Sequence, residues 1–154
     1  MILESFQQVQ VIPAELNRVW RFFSDPHNLN AITPPDMQFR IISALPEHMY
    51  AGMLIQYQIR LLPGCWAKWL TEIRQVREGQ YFCDEQRVGP YHLWYHEHHF
   101  EPVKGGVRMT DKVTYGVGYG PLGWLLHRVW IRPKLRAIFA YRTRKVVELF
   151  GEKS

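Results

Sequence analysis

HLWYHEHHFEPVKGGVRMTDKVTYG, residues 92–116, is the stretch that decides the fold. Residues 92–102 and 106–116 each alternate between two sets of side chains, and Val103-Lys104-Gly105-Gly106 lies between them with glycine available for positive φ. Strand side chains point alternately to opposite faces, so the pattern reads as an antiparallel hairpin with sorted faces. Trp94, His96, His98 and Phe100 share one face, while Tyr95, Glu97, His99 and Glu101 share the other and should meet water. On the second strand Met109, Asp111, Val113 and Tyr115 go together.

Upstream, the pattern predicts strands near residues 37–44, 52–61, 65–77 and 80–87, with Arg77-Glu78-Gly79-Gln80 as a second hairpin turn. Trp69, Thr71 and Ile73 fall on one face, as do Phe82, Asp84 and Gln86. No helical segment is convincingly interposed between Met37 and Tyr115, so strands adjacent in sequence should pair antiparallel. Earlier still, Phe6 to Ile12 reads as a strand, and Leu16, Val19, Trp20 and Phe23 mark the buried face of a helix over 14–23. A second short helix over 26–31 ends at Thr33-Pro34-Pro35-Asp36, where proline fixes φ and removes donors.

From Pro121 the chain is helical. Leu122, Leu125, Leu126 and Val129 form one apolar stripe, and Leu135, Ile138, Phe139, Val146 and Leu149 form another; Pro133 between them should start a new helix or kink a continuous one. The sheet must bury one face, and this terminal helix is the long element available to cover it. The expected fold class is therefore α+β: a curved antiparallel sheet wrapped around a long C-terminal helix, with two short helices after the first strand, in one domain over residues 1–154.

Composition agrees with one core. Hydrophobic residues make up 47% and aromatics 14%, and six Trp with eight Phe exceed what a minimal core needs, so some should line a space instead of filling it. No apolar run approaches the ~20 residues of a membrane-spanning helix, and the first residues lack the blocks of a signal peptide, which places the protein in the cytoplasm. Cys65 and Cys83 then read as reduced thiols. The net charge of +5 sits largely in the terminal helical segment: Arg128, Arg132, Lys134, Arg136, Arg142, Arg144, Lys145 and Lys153 face only Glu148 and Glu152 after Gly120. No nucleic-acid-binding motif accompanies these cations, so specific nucleic-acid recognition is not expected.

Several of these residues also carry a resemblance: Phe22-Phe23-Ser24-Asp25-Pro26 with Leu29, Ile32-Thr33-Pro34-Pro35, Trp69-x-Thr71-x-Ile73, Phe82-x-Asp84-x-Gln86, Gly89-Pro90-Tyr91, the runs through Trp94–Phe100 and Met109–Tyr115, and Phe139-x-Tyr141-Arg142. Across nearly the whole chain the pattern resembles the SRPBCC superfamily, the helix-grip group of START lipid-transfer domains, polyketide cyclases and birch-pollen-allergen-like proteins. Within it the similarity is to the bacterial START-like or cyclase/dehydrase-like branch. The resemblance implies a cavity between sheet and helix; it implies no one chemistry, since carriers, sensors and enzymes share the scaffold. Pro133 departs from the pattern expected of such relatives.

If the sorted faces all point at the helix, the concave side is aromatic at its ends and carries a polar band of Thr71, Asp84, Gln86, His96, His98 and Asp111. A buried carboxylate must be paired, and imidazole is the available partner. Such a network either fixes the sheet or orients a ligand's carbonyl or hydroxyl at the wall. The candidate ligand-binding set is Trp69, Thr71, Phe82, Asp84, Gln86, Trp94, His96, His98, Met109, Asp111, Tyr115, Phe139 and Arg142. Arg142, beside the apolar stripe, is expected to snorkel outward, with pairing to an aspartate or an acidic head group as the alternative. His-x-His with carboxylates has some ligand character, yet no further histidine stands at ligand-like spacing, so neither metal nor cofactor is expected.

The functional expectation is a carrier, sensor or presenter of an apolar or amphipathic small molecule. One alternative is a cofactor-free cyclase or dehydratase using His96 or His98 with Asp84 or Asp111. No Gly-x-Ser-x-Gly, P-loop or dinucleotide fingerprint supports acyl-enzyme, nucleotide or nicotinamide chemistry. A second alternative is a module whose basic terminal helix contacts a protein or a membrane. Gly118 to Leu126, with Arg128 and Arg132 nearby, is read as packed on the domain, against the alternative of a mobile gate that meets a membrane.

Overall fold

A computed structural model describes residues 1–151; Glu152 and Lys153, counted above in the terminal charge, lie outside the described residues. Seven strands form one antiparallel sheet in the order β1-β7-β6-β5-β4-β3-β2, with β1 Ile2–Ile12, β2 Phe39–Ile41, β3 Leu54–Leu62, β4 Cys65–Arg77, β5 Tyr81–Val88, β6 Leu93–Val103 and β7 Gly106–Val117. Between β1 and β2 lie helix α1, Leu16–Phe23, and a short 3-10 helix, Pro26–Ile32, whose N-terminus is capped by the Asp25 carboxylate. The chain ends in α2, Gly120–Leu126, a π-helical segment, His127–Ile131, and the long α3, Arg132–Phe150.

Strands β2 to β7 follow one another by sequence, while β1 returns to pair with β7 along its length, Ile2 opposite Val117 and Ile12 opposite Val107. β6 and β7 run in unbroken register, with His98 opposite Asp111 and Trp94 opposite Tyr115. Asp84 lies opposite His96 on the other side. The β4–β5 pair is bulged between Ile73 and Gln75, and the inward phase changes there: Trp69, Thr71 and Ile73 are buried, Gln75 is exposed, and Val76 packs on the core.

α3 lies across the concave face and buries Leu135, Phe139 and Val146. Two glutamines on the inward phase of β1 tie it down: Gln8 Nε2 donates to the Phe139 carbonyl and the Thr143 hydroxyl, and Gln10 Nε2 donates to the Thr143 carbonyl at 3.1 Å. Phe6 meets Phe139 edge-on at 4.6 Å. The core falls into two clusters, one around Trp69, Tyr57 and Phe139, the other around Trp20, Phe82 and Phe100 under α1.

Three expectations are corrected. The strand expected over 37–44 is shortened to residues 39–41, with the Gln38 carbonyl and the Ile42 amide bonded to β3 at its two ends, and the chain beyond turns away through Pro46 toward the turn at Gly52. Leu149 lies outside the buried stripe, 43% exposed. The stripe Leu122, Leu125, Leu126 and Val129 is not packed on the domain: all four are exposed, and the inward line is Gly123, His127, Ile131, Leu135 and Phe139, spaced by four. Pro133 starts α3 from its first turn. Lacking an N–H, it leaves the carbonyl four residues back without its helical donor, and the wider π-helical turn just before it absorbs the change, with Arg132 N–H reaching His127 O.

Candidate functional site

The sheet and α3 do not meet everywhere. Between them lies a cavity of about 330 Å3, flanked by the 3-10 helix and by the start of the helical segment. Its walls are mainly apolar: Ile55, Tyr57 and Ile59 from β3, Trp69 and Ile73 from β4, Trp94 from β6, and Leu135, Ile138 and Phe139 from α3. The aromatic wall is braced edge-on, Trp69 against Trp94 at 5.6 Å and Phe39 against Tyr57 at 5.6 Å. Burial raises the Tyr57 phenol above its usual pKa, so it stays protonated at neutral pH.

On one part of this wall stands an ionisable cluster. His96 Nε2 is 2.8 Å from Asp111 Oδ1, and His98 Nε2 is 2.8 Å from Asp84 Oδ2. The two imidazoles lie 3.8 Å apart with their planes tilted by 34°, His98 stacks on Phe82 at 4.0 Å, and Arg142 Nη1 approaches Asp111 Oδ1 at 3.9 Å. The carboxylates can only accept, so each histidine carries a proton on Nε2 and donates it. His98 Nδ1 lies 3.3 Å from Asp111 Oδ1 without hydrogen-bonding geometry, and that approach is electrostatic.

Burial works on all five groups, but neighbours decide the outcome. Burial would lift both aspartates; instead the hydrogen bonds from His98 to Asp84 and from His96 to Asp111, with the surrounding positive charge, hold both below the usual carboxylate range. Burial and then the charge of His98 lower His96. For His98 the flanking carboxylates of Asp111 and Asp84 outweigh burial and raise it. Burial lowers Arg142, with Asp111 and Asp84 opposing. The directions divide the cluster: two carboxylates face one guanidinium, His98 is the imidazole favoured to take a second proton, and His96 is the one favoured to stay the free base.

Thr71, Phe82, Asp84, Trp69, Trp94, His96, His98, Phe139 and Arg142 all line the cavity. Gln86, Met109, Asp111 and Tyr115, grouped with them by alternation, are buried but stand outside its wall. Gln86 closes the 86–91 turn, donating to the Tyr91 carbonyl at 2.7 Å and accepting from the Tyr91 amide at 3.2 Å. Met109 packs with Phe100 and Val146. Asp111 holds the imidazoles without lining the cavity itself, and Tyr115 pairs its hydroxyl with His127 Nε2 at 2.8 Å. Arg142 reaches inward, against the expectation that it would snorkel, because two carboxylates wait there; its side chain is only 11% exposed.

Sequence patterning alone does not single out His127 or Tyr57. The line Gly123-His127-Ile131-Leu135 is a signal for the first and the alternation Ile55-Tyr57-Ile59 for the second. As for metal, Asp84, His96 and His98 offer ligand atoms within 4.8 Å of one another. Both Nε2 atoms are already committed to carboxylates, and Arg142 beside them supplies the positive charge that a cation would bring.

A seven-stranded antiparallel sheet gripping one long C-terminal helix, with short helices after the first strand, decides the comparison with known structures. This is the helix-grip fold. Protein CV1439 from Chromobacterium violaceum matches with a TM-score of 0.72 at 12% identity, covering 97% of this chain and 98% of that one. TTHA0849 from Thermus thermophilus matches at 0.68 and 15% identity, over 95% and 99% of the two chains. Ara h 8.0201 matches at 0.66 and 17% identity, over 96% and 99%. No protein-family model matches this chain, and no curated protein matches it in sequence. At such identities the likeness is one of helix-grip architecture, and the chemistry rests on the site itself.

Proposed function

We propose that the chain binds an apolar or amphipathic small molecule in the helix-grip cavity, with the ligand's polar end against Thr71, Asp84, His96, His98 and Arg142. The observation that carries this reading is the asymmetry of the cavity: aromatic and aliphatic over most of its wall, with the ionisable cluster gathered on one part. Ligand pockets of this kind take affinity from the apolar wall and orientation from a few polar groups. The carboxylates of the cluster are already engaged by His96, His98 and Arg142, which favours an uncharged hydroxyl or carbonyl over an ionised head group, since a further buried charge would find no free partner there. The protein would thus carry, sense or present such a compound, and the SRPBCC resemblance of the sequence points the same way.

A second reading rests on His96. A neutral imidazole held by Asp111 through Nε2 is the arrangement of a general base, suited to removing a proton next to a carbonyl, as in an aldol-type cyclisation or a dehydration. Native mass spectrometry of the purified protein, followed by denaturing extraction, tests the first reading: a stoichiometric apolar compound is expected. An empty protein that gains no thermal stability from lipid, polyketide-like and aromatic panels would overturn it. Once a ligand is known, His96→Ala separates the two readings, because a carrier loses at most affinity while an enzyme keeps binding and loses turnover.

A further inference from the structure

Between Tyr119 and Trp130 only Gly123 and His127 are buried. Leu122 is 72% exposed, Val129 64% and Leu125 51%, and Trp124, Leu126 and Trp130 are also open to water. Single exposed apolar residues are ordinary, but six within nine positions on one helical turn after another are a contiguous patch. The chain holds the patch out by close backbone contact underneath: a Cβ on Gly123 would come within 1.6 Å of the Gly118 carbonyl oxygen. Tyr119, at the entry to α2, takes a left-handed conformation with φ of 69°.

Along this segment charge has one sign. From Gly118 to Val147 the chain contains seven lysines and arginines and no aspartate or glutamate. Arg128 lies over the Trp124 ring at 5.4 Å and Lys134 over Trp130 at 5.4 Å, so the cations rim the aromatic rings. The patch also adjoins the cavity: Tyr119, Leu126, Trp130 and Lys134 belong to its wall.

We infer that α2 and the π-helical segment form a membrane-docking surface, which seats its leucines and tryptophans in the interface of an anionic bilayer with Arg128, Arg132 and Lys134 at the head groups. Apolar side chains beside tryptophan, rimmed by arginine and lysine, are what an interfacial helix presents, and the positive rim matches the negative potential of an anionic leaflet. A ligand of the apolar cavity would then pass between bilayer and protein without crossing water. The docking itself does not depend on that reading, since it needs only the patch and its charges.

The test is flotation of the whole chain with vesicles of phosphatidylcholine containing about one-third phosphatidylglycerol, compared with pure phosphatidylcholine. Binding is expected on the anionic vesicles and should weaken as salt is raised. The variant Leu122→Ser/Leu125→Ser/Val129→Ser changes only exposed side chains, so its melting temperature should match the parent while vesicle affinity falls roughly tenfold or more. A cavity-filling Thr71→Trp variant should still float, which separates docking from ligand binding. No flotation by the parent, or equal flotation by the triple serine variant, overturns the inference. So does a concentration-dependent dimer in sedimentation that the serine variant abolishes, because the patch would then serve a second copy of the chain.

Discussion

Asp111→Asn probes the charge balance of the buried cluster directly. The amide keeps the shape of the side chain and an oxygen to accept from His96 Nε2, so what it removes is one negative charge among His96, His98 and Arg142. With that charge gone the cations keep one carboxylate where they had two, and breaking a buried ion pair in this way costs about 3–5 kcal/mol. In a chain of 154 residues each kcal/mol moves the melting point by roughly 2–4 °C, so the expected fall is roughly 6–20 °C. The loss should depend on pH in a fixed direction. In the parent, the raised pKa of His98 contributes stability that is complete below the unfolded value near 6.5 and disappears as pH rises through the higher folded value. The variant lacks one of the two carboxylates that raise it, so its deficit should be greatest at about pH 6 and smaller at about pH 9, as rising pH takes the His98 proton from the parent. Urea unfolding of parent and variant at the two pH values measures this. A deficit below about 0.5 kcal/mol at the lower pH, the range of an ordinary surface change, would refute the reasoning, as would a deficit that grows with pH.

Three other outcomes follow from the same structure. In an NMR titration, one of the two adjacent imidazoles should protonate above the usual histidine range and the other below it, with His98→Gln removing the upper transition; two ordinary transitions near 6.5 would contradict the cluster geometry. Burial pushes the Cys83 thiol up to about 11 while Cys65 is exposed, so a thiol reagent at mildly alkaline pH should titrate one cysteine per native chain and two after denaturation. Gly123→Ala should cost about 1–3 kcal/mol and loosen α2, seen as faster amide exchange over residues 120–131, because the added methyl meets the Gly118 carbonyl with no flexible side chain to yield.

Most of the concave face was legible because β6 and β7 keep register without a bulge, so the alternation of Trp94, His96, His98 and Phe100 survives into three dimensions. Alternation sorts faces; it does not say where along a face the helix lifts away. That is why Met109 and Tyr115 share the inward phase and yet stand in packed core, and why Gln86 spends its amide on a turn. The bulge after Ile73 leaves no mark in composition, and only pairing reveals it. The helical segment misled for a different reason. Choosing the most apolar stripe assumes that apolar residues face the core, whereas here a glycine and a histidine occupy the inward positions and the leucines face out. Arg142 could not be placed until the position of Asp111 fixed where a guanidinium would find its countercharge.

The cluster and the patch run against stability in the same sense. Well-packed apolar side chains in place of the two aspartates, two histidines and Arg142 would leave no desolvation to offset, and such replacements are commonly neutral or stabilising by about 1–4 kcal/mol. Turning Leu122, Leu125 and Val129 inward would likewise bury area that now faces water. Folding alone accounts for neither feature, and the two lie at the wall and the rim of one cavity. On the proposed reading each departure has a reason, the polar set orienting a ligand and the apolar patch admitting it from a bilayer, and such a ligand would have to be apolar enough to partition into lipid yet carry one hydrogen-bonding end.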